Sequence, residues 1–419
     1  MVRILERRLA KGVMSAGLAL AVLAGAAQAQ VFSPLTSAQR GPMTAAQLEQ
    51  VAATAIPMEN LLTDSPFTGG AASPAALGGA ASVPIGQSVV RVAAPVISQG
   101  NAGPVESGMT RSMSFSTLED LTGTAPQGSG AVAPQNYGNG NLNTIYHYND
   151  YLQFPFPATY APYRQAGQLL FQAADGGWYT CTAALIQRTI LITAGHCVHD
   201  GENGVNGWNR DGYFYPAYAQ NYPRTNQYYG WCQTVRYATT DGWFNNGSIQ
   251  QGYDVAMAIC GRLWQGSNTA VRGQFPGVAL GWFGFCYENC TMGYNFLTQI
   301  GYPSNYYDGG QMTISQHIEE TALSGGPDYL YGTGMRGGSS GGPHIQNIGE
   351  IRDSAFAGYN TARNIIYAVT SWGYVSDIYK VQGASPISGP GNTNNAQAMF
   401  NGLCQNSRNW FGAWTCQFL

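Results

Sequence analysis

Two glycine-flanked stretches carry side chains that together can do chemistry. Gly338-Ser339-Ser340-Gly341-Gly342-Pro343 offers a serine hydroxyl, and Thr193-Ala194-Gly195-His196-Cys197, far upstream, offers an imidazole. A serine hydroxyl is a poor nucleophile until a positioned imidazole takes its proton, and that imidazole needs a carboxylate on its other nitrogen to fix its tautomer. Asp254 supplies the third member. It opens the run Val255-Ala256-Met257-Ala258-Ile259-Cys260, which alternates larger and smaller apolar side chains as a strand buried on both faces would. The order along the chain is His196, Asp254, Ser340.

That order separates readings that the serine stretch leaves open. Gly338-Ser339-Ser340-Gly341-Gly342 also fits G-x-S-x-G, the nucleophile elbow of α/β-hydrolases, whose acid and histidine follow the serine. The one histidine after Ser340 is His344, too near along the chain to reach back to the hydroxyl. Gly332-Thr333-Gly334-Met335-Arg336-Gly337 fits G-x-G-x-x-G, but it runs into more glycine and a proline where a dinucleotide site needs a helix.

With these residues in view, the chain resembles a chymotrypsin-clan (trypsin-like) serine endopeptidase of the secreted bacterial type, over roughly residues 150 to 403. Cys181 to Ile186 with Ile190 to Cys197 resembles the family's histidine segment, and Asp254 with its strand the aspartate segment. Ile300-Gly301-Tyr302-Pro303 resembles a strand of bacterial members, and Ser371-Trp372-Gly373 the substrate-binding strand. The resemblance implies an all-β fold of two six-stranded antiparallel β-barrels with a C-terminal helix, the catalytic residues His196, Asp254 and Ser340 meeting in the crevice between them. It also implies an oxyanion hole from the backbone N–H groups of Gly338 and Ser340. Substrate would bind along Thr370, Ser371, Trp372 and Gly373, with Gly334 at the pocket floor. Gly334 is no aspartate and Thr370 no histidine, so the expected preference is for an uncharged side chain. Ser339 stands where digestive members carry the aspartate that pairs with a new N-terminus, so that activation switch is expected to be absent.

Composition and cysteines bound the compartment. Charged residues are 10% of the 419, against roughly 25% in ordinary soluble proteins, and the net charge is −3, so no basic surface for nucleic acid is expected. Arg3, Arg7, Arg8 and Lys11, then the apolar run Val13 to Ala24, then Ala27-Gln28-Ala29 read as a signal peptide over residues 1–29. The expectation is a secreted or periplasmic protein, off the membrane once the signal is cut, monomeric, acting on protein or peptide. Eight cysteines in such a chain read as four disulfides, among 105 possible connectivities. Cys181 with Cys197 would close a loop around His196, a bridge the family has; Cys232–Cys260, Cys286–Cys290 and Cys404–Cys416 follow from proximity alone.

Texture divides the rest. Residues 30–145 are rich in Ala, Gly, Pro, Ser and Thr and are expected to bury little, serving as a pro-segment over the active site or as a spacer. Within them Thr44-Ala45-Ala46-Gln47 matches a capping box ahead of a short apolar helix. Residues 146–403 read as the protease-like domain, with the first barrel ending near 265 and the second starting near 275. Asn395 to Leu403 reads as a helix and 404–419 as a stapled tail. His199 is expected on a surface loop, and Asp200-Gly201-Glu202-Asn203-Gly204 misses EF-hand spacing, so no metal and no cofactor are expected. The competing functional reading is a catalytically silent binding or adhesion module on the same fold.

Overall fold

A computed structural model describes residues 30–34, 43–58, 61–62, 96–101, 146–150, 157–249, 251–288, 290, 296–318, 320–321, 328–349, 363–375, 380–388 and 396–419. The signal peptide expected over 1–29 lies outside them. The N-terminal region contributes β1 (Gln30–Phe32), α1 (Ala45–Ala52), β2 (Ile56–Pro57), β3 (Leu61–Leu62) and β4 (Val96–Ile97), and β5 (Tyr146–Asp150) follows it. Helix α1 starts as its sequence predicts: Thr44 accepts from the Gln47 N–H while the Gln47 side chain accepts from the Thr44 N–H. Among its described residues, 43–58 bury apolar surface by borrowing a core instead of building one. Leu48 is buried within the main core cluster, and β1 adds to the barrel by pairing with Thr240, Thr239 and Ala238.

The first sheet is a closed six-stranded antiparallel barrel. It is formed by β6 (Ala166–Gln172), β7 (Trp178–Leu185), β8 (Ile190–Thr193), β9 (Gly212–Pro216), β10 (Cys232–Thr240) and, after the short helix α2 (Asp241–Asn246), β11 (Ala256–Cys260). The order β10-β11-β8-β7-β6-β9 returns to β10 through the Cys232–Phe214 and Gln233–Tyr213 pairs. All five residues of β11 are buried, as its apolar run predicted. Removing a side chain such as Met257 by substitution to Ala should cost about 2–5 kcal/mol, transfer and cavity together.

After α3 (Pro276–Leu280) comes the second sheet, from β12 (Gly284–Glu288), β13 (Phe296–Gly301), β14 (Thr313–Ile318), β15 (Glu320–Thr321), β16 (Tyr329–Gly332), β17 (Pro343–Gln346), β18 (Ile365–Tyr374) and β19 (Val381–Pro386). Its strand order is β15-β16-β19-β18-β17-β13-β14-β5, so β5 joins this sheet and not the barrel that follows it in sequence. The chain ends in α4 (Ala396–Phe411). The helix expected to end at Leu403 runs on to Phe411 because Cys404 and Ser407 continue the buried stripe of Ala396, Met399, Phe400 and Leu403. That stripe packs against β10, β11, β8 and β12, with the Phe400 ring 5.3 Å from that of Phe285.

The disulfides are Cys181–Cys197, Cys232–Cys260, Cys286–Cys290 and Cys404–Cys416. Among the described residues no helix is long and apolar enough to cross a membrane.

Candidate active site

His196 sits in a single 3₁₀ turn, Gly195–Cys197, immediately beyond the end of β8. Antiparallel pairing of Thr193 with Ala256 brings the residues just after β8 beside those just before β11, where Asp254 lies. The carboxylate grips the turn twice. Its Oδ1 accepts from the His196 backbone N–H at 2.8 Å and its Oδ2 from the ring Nδ1 at 2.7 Å. A carboxylate only accepts, so Nδ1 carries the proton and Nε2 presents its lone pair. Nε2 is buried and makes no hydrogen bond among the described residues. The Cys181–Cys197 bridge fastens the same turn to β7. His196 and the two sulfurs lie close together, but sulfurs bonded to each other offer no thiolate to a metal.

His199 is not on the surface, as its loop setting suggested, but fully buried. Its ring packs on Trp208 and Phe244, its Nε2 donates to the Gly204 carbonyl, and its Nδ1 accepts from the Gly201 N–H. An imidazole with both nitrogens used inside the loop folds the loop around itself. The carbonyl of His199 in turn accepts from Trp243 Nε1, and Trp243 lies against His196.

Ser340 lies on the turn before β17, and two glycines there adopt left-handed backbone. Gly338 has φ +91° and Gly341 φ +77°, and a Cβ on either would collide with neighbouring backbone, the Tyr302 carbonyl for Gly338 and the Thr182 carbonyl for Gly341. Thr182 of β7 joins this turn to the barrel. Its N–H donates to the Ser340 carbonyl and its hydroxyl to the Gly338 carbonyl, both at 2.8 Å, and the same hydroxyl accepts from the Tyr302 N–H. Nothing in its sequence setting marks Thr182 for this task.

One of the two donors expected to serve an oxyanion, the Gly338 N–H, has an occupant. The Gly338 N–H donates to the carbonyl oxygen of Met58 at 2.8 Å, and the Ser340 hydroxyl donates to the same oxygen at 3.0 Å. Met58 follows β2, and its own N–H donates to the Thr180 carbonyl.

The strand expected to take substrate is the end of β18. Ser371 is buried, and its hydroxyl donates to Asp254 Oδ2. Trp372 Nε1 donates to Asp328, which also accepts from Ser385. Gly373 pairs with Gln382 on one side and with Leu61 of β3 on the other. Gly334 accepts at its carbonyl from the Asn305 amide, and Ser339 donates to the Arg336 carbonyl and accepts from Gln382. Behind this strand lies a polar cluster that sequence reading did not assemble. Gln299 donates to Tyr331, Thr370 and Gln382, while the His344 ring bonds Thr370 through Nε2 and His317 through Nδ1. Burial lowers the pKa of His317 to about 3, and burial with the neighbouring His317 holds His344 well below its ordinary value.

No protein-family profile and no curated protein sequence matches the chain. Among solved structures it is similar to the protease Anisep from Arthrobacter nicotinovorans, at 21% identity and TM-score 0.42 over 53% of this chain and 90% of that one. It is also similar to the thermostable serine protease AL20 from an extremophilic microorganism, at 22% identity and TM-score 0.42 over 53% and 91%. A third is a Glu endopeptidase in complex with MPD, at 16% identity and TM-score 0.41 over 62% and 95%.

Proposed function

We propose that the protein is an exported serine endopeptidase that hydrolyses peptide bonds through an acyl-enzyme. The observation that carries this reading is convergence on one oxygen. A single carbonyl, that of Met58, is met by the Ser340 hydroxyl and the Gly338 N–H, while Asp254 grips the His196 turn at two points.

In this reading Ser340 Oγ attacks the scissile carbonyl carbon as His196 Nε2 takes the hydroxyl proton, and Asp254 holds the imidazolium that forms. Charge on the carbonyl oxygen is met by the N–H groups of Gly338 and Ser340; loss of one such donor costs about 100-fold to 1000-fold in rate. The tetrahedral adduct collapses, the amine leaves with the proton from His196, and a water then attacks the acyl-enzyme by the same route to release the acid and restore Ser340. Substrate adds as a strand along Ser371 to Gly373. The groups around Thr370 are Gln299, Tyr331, Gln382 and a histidine kept neutral by burial, which favours an uncharged side chain in the pocket beside them. Four disulfides fit an oxidising compartment, secreted or periplasmic.

The test is labelling with a fluorophosphonate probe together with hydrolysis of a denatured protein substrate, before and after limited proteolysis of the N-terminal region. Labelling and hydrolysis that vanish in Ser340→Ala and His196→Ala are the expected result. Folded protein that labels in neither state overturns the reading and leaves the silent binding module.

A further inference from the structure

The residues against the nucleophile belong to the chain's own N-terminal region. β2 runs parallel to β7, pairing Ile56 with Tyr179 and Pro57 with Thr180; β3 runs parallel to β18, pairing Leu61 with Gly373 and Leu62 with Tyr374. Between these ladders the Met58 carbonyl meets Gly338 and Ser340. We propose that residues 56–58 and 61–62 act as an intrachain strap that holds the cleft shut in an unreactive register, and that a free peptide of this sequence occupies the same groove. The proposal rests on Ser340 being the nucleophile.

The geometry of the Met58 carbonyl is that of an inhibitor. Acyl transfer needs Ser340 Oγ on the carbonyl carbon with its proton turned to His196 Nε2. The hydroxyl instead spends its proton on the carbonyl oxygen, 3.0 Å away, and Nε2 makes no hydrogen bond among the described residues. The strap thus engages the nucleophile and an oxyanion donor together while the hydroxyl proton points at the carbonyl oxygen and not at His196. Its direction matters as well. It pairs in the parallel sense with both walls, so a peptide taking the antiparallel ladder on β18 crosses the cleft the other way and cannot share it. Attachment removes the association cost, because a tethered segment faces its groove at an effective concentration in the millimolar range. Leu48 of α1, buried in the barrel core, fixes one end.

The experiment measures the rate of fluorophosphonate labelling of the full-length protein and two variants, each checked for an unchanged thermal unfolding profile. Met58→Pro removes the N–H that bonds Thr180. The second variant replaces residues 56–58 and 61–62 by glycine and serine. The expected result is labelling at least about tenfold faster for Met58→Pro, the value of one hydrogen bond of about 1.4 kcal/mol, and faster still for the replacement. A synthetic peptide spanning Ala55 to Leu62 should slow the replacement variant back toward the parent. Parent protein that labels as fast as the replacement variant, with both dependent on Ser340, overturns the strap and leaves the peptidase reading intact. A folded replacement variant that does not label at all overturns the peptidase reading and the strap with it.

Discussion

Ser371 and Asp254 are joined by a 2.6 Å hydrogen bond, the Ser371 hydroxyl donating to Oδ2, the same carboxylate oxygen that receives His196 Nδ1 at 2.7 Å. The strand expected to bind substrate through its backbone therefore also steadies the carboxylate through a side chain. Asp254 is 1% exposed, and the His196 N–H, the His196 ring and the Ser371 hydroxyl give its two oxygens at least three donors, enough to offset much of its desolvation. Ser371→Ala removes one of them. The expected outcome is a kcat lower by about tenfold, the lower range for a hydrogen bond to a charged group, with KM within about twofold. A KM raised about tenfold with kcat unchanged would assign Ser371 to substrate binding alone.

Thr182→Val keeps the shape of the side chain and deletes its hydroxyl. The Gly338 carbonyl loses a donor and the Tyr302 N–H an acceptor. Leaving two buried groups unpaired should destabilise by about 1–3 kcal/mol each. The variant should also lose activity beyond what its folded fraction explains, since Gly338 carries the donor next to Ser340. Urea unfolding and active-site titration of the same sample separate the two effects.

The Cys181–Cys197 bridge closes a loop of 16 residues around His196. Replacing both cysteines by serine should cost about 3 kcal/mol by the chain-entropy estimate. The check is the urea midpoint at constant slope. A drop smaller than about 1 kcal/mol would mean that β7 and β8 hold the loop without it.

Acid should weaken the second sheet. In the unfolded chain His317 takes up its proton near pH 6.5, whereas burial keeps it neutral in the fold down to about 3. His344 is depressed in the same direction, by burial and by His317. Between these values the unfolded state binds more protons, so stability declines as pH falls from about 6.5 toward 3 and is unaffected by these groups above it. His317→Gln should flatten that part of the curve relative to the parent. Urea midpoints at pH 7.5 and 4.5 that fall equally in both proteins would assign the acid lability elsewhere.

The candidate site was legible in the sequence wherever its geometry required particular residue types close together. The glycines around Ser340 answer a left-handed turn, His196 is followed by a bridged cysteine, and Asp254 heads a strand whose five residues are all buried. Backbone roles leave no such trace. Met58 acts through its carbonyl, which every residue has, and it lies 282 positions from Ser340. Ser371 and Asp254 are 117 positions apart, so their bond depends on how the two sheets meet. His199 misled because a turn-forming run of Asp, Gly and Asn looks solvated, and here it wraps a buried ring that bonds the loop from within. The placement of α1 was hidden for a related reason: composition measures whether a segment can make its own core, not whether a finished barrel will accept Leu48.

The two ends of the strap region are moored to different sheets. β1 is laddered to β10 of the barrel, with Ser33 accepting from Arg236 and Tyr237, while β4 is laddered to β12. A single break in the backbone anywhere between Leu62 and Val96 would leave both pieces docked. Nicking and shedding are then separate events, and a gel under denaturing conditions could report a cut chain while the intact mass persists in native solution. Readiness for work would be timed by the peeling of β1 and β2 from the barrel and of β3 from β18, a dissociation whose rate depends on temperature and denaturant and not on the cutting enzyme.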